Sequence, residues 1–340
     1  MVVINFKDLI CNKLLKNEIK NAFSNTGTGY VLIKGIPKFK ELRNKVLKSG
    51  YFLAHQPKTL LDSISKPDID YSIGWDVSTF ITEHDQRHSM FNSFTARCLK
   101  ESLIYPKNKE MEKSHKNVWP DIPNFKEDFI EFGKLIANCQ LEVLKHIDMY
   151  LNEFISCNLY NSLKNDHDAY NRLIIYNPME NFKASVDTWD GWHTDYSALT
   201  ALVHPMYFEK TGEIFQSKNT CINIINRKGE KSVAEFDEED LFIQASDTIF
   251  ILTGGEIPPT PHSVKIQKDM PKNKFRIQFA TFFQPNYNYV MNIPNNMNYD
   301  DIIKKDPLGL PYKTCHFQNG WDFGDFYENS LNYLLDRPKI

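Results

Sequence analysis

Four residues of this chain have the types and the spacing to build a reactive metal centre: His193, Asp195, His262 and Arg276. The first two open the segment "GWHTDYSALTALVHP", which runs from Gly191 to Pro205. Its β-type pattern predicts a strand, on which residues i and i+2 face the same way. One imidazole and one carboxylate then project in parallel, a bite suited to a first-row metal. His262 follows 69 residues later in "LTGGEIPPTPHSVKI". The Gly254-Gly255 turn and three prolines predict a stiff, extended approach to it, since residues before proline avoid the helical region. Two histidines and one carboxylate cover one face of an ion and leave its other positions open, the arrangement of non-haem Fe(II) oxygenases. Arg276 comes 14 residues after His262 in "FRIQFATFFQP", a distance one hairpin can span. An arginine inside an apolar strand is costly unless paired. Its natural partner is a bidentate carboxylate, supplied either by a core Asp or Glu or by a ligand.

Each of these residues taken singly has a plainer explanation. A second H-x-D, His146-Ile147-Asp148, lies in a helical pattern, where positions i and i+2 point apart and cannot share an ion. His88, His204 and His316 compete with His262 but lack a comparable strand-and-turn setting. Trp189 and Trp192 flank the metal segment, and aromatics there more often pack than recognise a ligand. Tyr196 faces away from the ion if the strand is regular. No H-E-x-x-H helix supplies the general base of a zinc hydrolase.

The elements that must position these groups fall into two textures. Residues 1–120 read as short strands and helices: a strand running into a turn at "VVINFKDLI", a helix at "NKLLKNEIKNAFSNT", a buried strand at "GTGYVLIKGIP" and a helix at "KFKELRNKVLKSGYFLA". Gly27 and Gly29 read as a turn, not a nucleotide loop, because the third glycine and the following helix are missing. From about 125 to 165 the spacing predicts one long helix along a sheet. From 170 onward the strands "RLIIY", "SALTALV", "TCINII", "DTIFIL", "HSVKI" and "FRIQFATFF" predict a β-rich half of sandwich or jelly-roll type. The expected division is residues 1–120, 121–290 and a tail 291–340 that ends in an amphipathic helix packed back on the body.

Composition narrows the function. The 340 residues are 41% hydrophobic and 24% charged, with a net charge of −3. That balance lacks the basic footprint of a nucleic-acid binder. The lysine-rich pieces at 107–116 and 268–276 read as solvated loops. No run approaches a membrane span, and the first residues are too short an apolar core for a secretory signal. Six cysteines contain no C-x-x-C. A cytoplasmic monomer with free thiols is expected, with no nucleic-acid or membrane partner.

The motifs together resemble those of the Fe(II)- and 2-oxoglutarate-dependent oxygenases, in particular the isopenicillin N synthase-like group. "HTDYSALT" is similar to the H-T-D-x-S-A-L-T of the plant flavonoid and hormone oxygenases. "TGGEIPPTPHSV" resembles the glycine turn and distal histidine of the cephalosporin enzymes, and "FRIQFATFFQP" their R-x-S segment, with Pro285 nine residues after Arg276. "GTGYVLIKGIP" is similar to the G-F-x-x-x-x-x-H-G-I-P that precedes the barrel. The likeness covers residues 2 to 290. It implies an α+β fold with a double-stranded β-helix, a distorted jelly roll, and N-terminal helices packed around it. It implies Fe(II) on His193, Asp195 and His262, with 2-oxoglutarate chelating the ion and its far carboxylate on Arg276, and O2 in the remaining position.

Two departures concern the cosubstrate. The family's serine two residues after the arginine is Gln278 here, on the Arg276 face and longer. The family's tyrosine before the proline of N-x-Y-P is replaced in "RLIIYNP" by Asn177, with Tyr176 one place earlier and on the other face. Three readings follow. The first is a 2-oxoglutarate-dependent oxygenase of a small molecule. The second is an isopenicillin N synthase-like Fe(II) oxidase without 2-oxoglutarate. The third is a non-catalytic jelly-roll binding protein.

Overall fold

The computed structural model describes residues 1–11, 13–77, 79–81, 88–105, 107–153, 155, 158–179, 188–268, 270–294, 297–308 and 317–334. Its N-terminal third holds β1 (Val3–Asn5), α1 (Phe6–Ile10), α2 (Lys16–Phe23), β2 (Tyr30–Lys34), α3 (Phe39–Ala54), α4 (Lys58–Ser63), β3 (Gly74–Asp76), β4 (Thr79–Ile81), β5 (His88–Arg97) and α5 (Lys109–Ser114). Helices α6 (Phe125–Leu151) and α7 (Leu159–Leu163) lead into β6 (His167–Tyr176), β7 (Thr188–His193), β8 (Leu199–Val203), β9 (Met206–Phe208), β10 (Ile214–Phe215), β11 (Ile222–Ile225), β12 (Lys231–Val233) and β13 (Leu241–Ala245). Then come α8 (Asp247–Leu252), β14 (His262–Lys265), β15 (Phe275–Pro285), α9 (Tyr299–Lys304) and α10 (Phe323–Leu334). The result is a mixed α+β molecule around a large, mainly antiparallel sheet ordered β1-β2-β13-β8-β15-β6-β5-β7-β14-β11-β12.

Strand β15 is the spine of the site. It pairs with β6 from Arg276↔Tyr176 to Pro285↔His167, and along its other edge with β8 and β9. Its period-2 pattern sorts residues between two environments. Ile277, Phe279 and Phe283 are fully buried on the helix-facing side. Phe279 meets Phe129 of α6 at 5.1 Å and Phe132 at 5.2 Å between ring centroids. Gln278, Ala280, Phe282 and Gln284 occupy the opposite side and line a cavity. Burial of the apolar face therefore aims the polar face at the site.

Three predicted elements differ. The long helix ends at Leu151 rather than near 165. Asp148, still in α6, accepts the backbone N–H groups of Leu159 at 3.0 Å and Tyr160 at 2.6 Å. It satisfies the open first turn of α7 and folds the chain back. Leu159 and Leu163 stay buried, which is why the apolar spacing runs on across the break. The "DTIFIL" segment is helix α8, not a strand. All six residues are buried, and a short apolar run has no periodicity to separate helix from strand. "VVINFKDLI" likewise passes from β1 into α1 rather than into a turn. Gly29 sits at φ +94°, and a Cβ there would meet Thr260 Oγ1 at 2.6 Å, as a turn glycine requires. Among the described residues no helix is long and apolar enough to cross a membrane.

Candidate metal centre

His193 is the last residue of β7 and His262 the first of β14, and the two are direct cross-strand partners. Their rings lie 4.2 Å apart between centroids. A register shift between His262 and Val264 bends β14 just past the ligand. Asp195 follows β7 in a loop, so it is the strand's end, not a continued strand, that sets the bite. Its Oδ1 is 3.8 Å from His193 Nε2 and its Oδ2 3.6 Å from His262 Nε2. One ligand atom from each of the three falls within 4.8 Å of the others, a spacing that could hold one ion. His193 Nδ1 lies 2.7 Å from Gly191 O and His262 Nδ1 lies 3.2 Å from Thr260 O. With each Nδ1–H donating there, both Nε2 lone pairs are left for a metal.

The surroundings set the protonation states a cation needs. Burial alone would raise the Asp195 carboxyl. The two histidines and hydrogen bonds from Thr200 and Gln244 outweigh it and hold the group below the usual carboxylate value. Burial, with His193 beside it, pushes His262 down. Gln244 Nε2 donates to Asp195 Oδ2 at 3.1 Å and lies 3.1 Å from His262 Nδ1. Helix α8 holds the ligand loop from below. The Asp247 and Thr248 N–H groups donate to the carbonyls of Asp195 and Ser197 at 2.8 and 3.1 Å, and Thr194 Oγ1 donates to the Asp247 carboxylate at 3.1 Å. The decoy pair is otherwise engaged: Asp148 caps α7, and His146 Nε2 contacts Leu9 O at 2.9 Å.

Arg276 is fully buried at the far end of this face. No core Asp or Glu pairs with it among the described residues. Its Nε and Nη2 donate to Thr220 O at 3.1 and 2.8 Å, and Nη2 also donates to Gln278 Oε1. Nη1 has no partner, an open donor of the kind a ligand carboxylate fills. The Tyr176 ring covers the guanidinium at 4.7 Å. The expected register at this point is overturned. Tyr176 is the direct cross-strand partner of Arg276, so it shares the arginine's face and lines the cavity. Asn177 lies past the end of β6 and off the cavity wall, with its carbonyl accepting Trp189 Nε1–H at 2.9 Å.

The triad, Tyr176 and Gln278 line one cavity of about 420 Å³, and Arg276 lies behind its wall against Tyr176 and Gln278. A Caulobacter crescentus protein described as belonging to the 2OG-Fe(II) oxygenase family superposes on the chain with a TM-score of 0.71, covering 98% of this chain and 99% of that one at 14% identity. The chain has the fold of the 2OG-Fe(II) oxygenases. A full-length Neurospora crassa protein in complex with alpha-KG and thymine is also similar, with a TM-score of 0.69 at 17% identity over 99% of this chain and 96% of that one. So is dioxygenase for auxin oxidation 1 of Arabidopsis thaliana, with a TM-score of 0.56 at 13% identity over 84% and 92%. No protein-family model and no curated protein matches the sequence. At such identities the likeness is one of fold, and function has to be argued from the site.

The oxygenase fold also brings in residues that the sequence pattern does not single out. Asp190 lines the cavity with Oδ2 4.0 Å from His193 Nε2. Tyr196 turns inward because Asp195 has already left the strand, and its hydroxyl donates to Ser330 O of α10 at 3.2 Å. Helix α10 adds Tyr327 and Leu331 as a roof, and Ser72 and Asp76 come from the "SIGWDVSTF" segment, of which Ser78 is outside the described residues. Trp189 and Trp192 do not line the cavity. Trp189 packs on Tyr176 at 5.5 Å, and Trp192 lies under Lys231 at 5.2 Å. His204 Nδ1 and Nε2 lie by the carbonyls of Pro205 and Lys218. His316 and the His88 side chain lie outside the described residues.

Proposed function

We propose that this chain is a non-haem Fe(II), 2-oxoglutarate-dependent oxygenase that oxidises a small molecule. The observation that carries the reading is one cavity lined by the His193–Asp195–His262 triad and by Tyr176 and Gln278, the two side chains that cover a buried arginine with an open Nη1. His193, Asp195 and His262 would hold the ion. Arg276 would take the distal carboxylate of 2-oxoglutarate, with Tyr176 and Gln278 beside it. Bound Fe(II) and 2-oxoglutarate supply oxidative decarboxylation with O2, giving succinate, CO2 and an oxidant for a C–H bond. The chain's own work is to keep Asp195 anionic, to leave both Nε2 atoms facing the ion, to lock the ligand loop on α8, and to cover the site with α10.

The same proposal includes the finer assignments: a double-stranded β-helix, membership of the isopenicillin N synthase-like group, and a cytoplasmic monomer built as residues 1–120, 121–290 and 291–340. The motifs "HTDYSALT" and "TGGEIPPTPHSV" and the antiparallel ladders around β15 support the fold and group assignments.

One observation favours a second reading, an Fe(II) oxidase that needs no 2-oxoglutarate. Gln278 accepts from Arg276 and donates to Val203 O, so its amide stands between the arginine and the cavity. Anaerobic titration with Fe(II) and then 2-oxoglutarate separates the two. A saturable visible charge-transfer band that is absent in Arg276→Ala establishes the cosubstrate. Iron binding without the band selects the oxidase, and no stoichiometric iron binding defeats both.

A further inference from the structure

Another arginine, Arg172, lines the cavity itself, and nothing in the metal or cosubstrate site uses it. It lies on β6 four residues before Tyr176, the cross-strand partner of Arg276. Residues four apart on a strand share a face. The two guanidinium-bearing positions are therefore about 13 Å apart along the ladder. The direct neighbour of Arg172 on β15 is Ala280, so only a methyl group crowds it from that side. The Phe282 ring centroid lies 5.8 Å from its guanidinium carbon. Tyr170 and Tyr327 flank it and act on its charge more strongly than Asp76 does. The Tyr170 hydroxyl donates to Ser72 O, so toward Arg172 it offers only a neutral lone pair.

Its Nε is buried and has no partner, and no carboxylate among the described residues forms an ion pair with it. The contrast with other buried arginines matters. Arg97 and Arg227 also leave Nε unpaired. Arg97, however, is neutralised by Asp168, and Arg227 is clamped by the carbonyls of Pro258 and Pro259. Neither faces the cavity. A guanidinium taken out of water without an anion is expensive, and a planar fork beside an open cavity fits a carboxylate.

We infer that Arg172 anchors an acidic substrate, a small molecule whose single carboxylate pairs with this guanidinium while its body lies over Phe282 and Ala280 toward the metal triad. Where oxidation falls rests on the function proposed above; the acid preference does not. A single negative charge is specified because Asp70, Asp76, Asp190 and Asp195 also line the cavity. A phosphate dianion would meet four carboxylates and one guanidinium, and like charges repel it.

The test measures binding of small monocarboxylates, each paired with its primary amide and headed by phenylacetate and phenylacetamide. Calorimetry is run anaerobically on the full chain, with and without Fe(II) and 2-oxoglutarate. The wild type is expected to bind the better acids at least about tenfold more tightly than their amides, the worth of one charge-assisted pair. Arg172→Gln lowers acid binding to the amide level, and Arg276→Gln leaves the preference in place. Ala280→Asp, which supplies an internal anion and keeps the arginine, removes the preference by a route independent of how well Arg172→Gln folds. The inference is overturned if no acid outbinds its amide, if the preference survives in Arg172→Gln and Ala280→Asp, or if it vanishes in Arg276→Gln instead. Failure of the oxygenase reading looks different: no Fe(II) or 2-oxoglutarate binding, with the Arg172-dependent preference intact.

Discussion

The backbone N–H of Asp247 donates to the carbonyl of Asp195 across 2.8 Å, so the loop carrying a proposed metal ligand hangs from the first turn of a helix. Thr194 ties the same loop to the Asp247 side chain. Thr194→Val keeps the shape and removes the hydroxyl. It should lower stability by about 1 kcal/mol and weaken Fe(II) binding several-fold, read by urea unfolding and iron titration. Unchanged iron affinity would show that the loop keeps its position without the helix.

The ligand assignment makes a paired prediction. His193→Ala, Asp195→Ala and His262→Ala should each abolish stoichiometric Fe(II) binding in equilibrium dialysis. His146→Ala and Asp148→Ala should retain it. Asp148→Ala should still lose about 1 kcal/mol of stability, because it strips the start of α7 of its acceptor. Iron dependence on the 146/148 pair would refute the triad.

Gln244 touches both Asp195 and His262 without being a proposed ligand. Gln244→Leu preserves volume and removes the donor. Orienting partners of this kind are worth about 10- to 100-fold in metal affinity. The variant should bind Fe(II) more weakly by such a factor while its melting temperature falls little. An affinity equal to wild type would assign Gln244 to packing.

Gln278→Ser tests the departure at the cosubstrate end. It withdraws the amide from Arg276 Nη2 and opens the space between the arginine and the cavity. We expect 2-oxoglutarate to bind at least as tightly as to wild type, followed by the charge-transfer band. Weaker binding would mean that the amide itself holds the carboxylate.

His115 sits behind Ser72, 8% exposed, and its imidazole is pushed down from the ordinary value to about 4, first by burial and then by the nearby Arg97. The folded protein keeps this ring neutral down to about pH 4, whereas the unfolded chain takes a proton below about pH 6.5. The unfolded state therefore binds more protons across that window, and stability falls as pH drops from about 6.5 to 4, then levels off. The loss is about 3 kcal/mol. Urea midpoints across this range should slope less for His115→Gln, and an identical slope would exclude this group as the cause.

The site is legible in the sequence where chemistry and strand period coincide. His193, Asp195, His262 and Arg276 can be named because histidines, carboxylates and buried cations are rare in apolar strands. The reasoning that selects Arg276 applies equally to Arg172 in "RLIIY", which differs only in lacking a familiar motif around it. Sequence alone puts Tyr176 on the wrong face because register depends on where β6 ends, and that is set by pairing with β15 rather than by local sequence. Helix α8 reads as a strand because its start is secured by carbonyls of residues 195 and 197, some fifty positions away. The long helix is overextended because Asp148 caps α7 through space, a contact that apolar spacing cannot register.

The roof over the cavity comes from late in the chain. Tyr327 and Leu331 follow His262, the last proposed ligand, by 65 and 69 residues. During synthesis the three proposed ligands therefore leave the ribosome before the helix that covers them. When α10 docks, the Tyr196 hydroxyl bonds to the Ser330 carbonyl and ties the ligand loop to that helix. Gathering of the three proposed ligands and their covering by α10 are thus separate events in the synthesis of the chain.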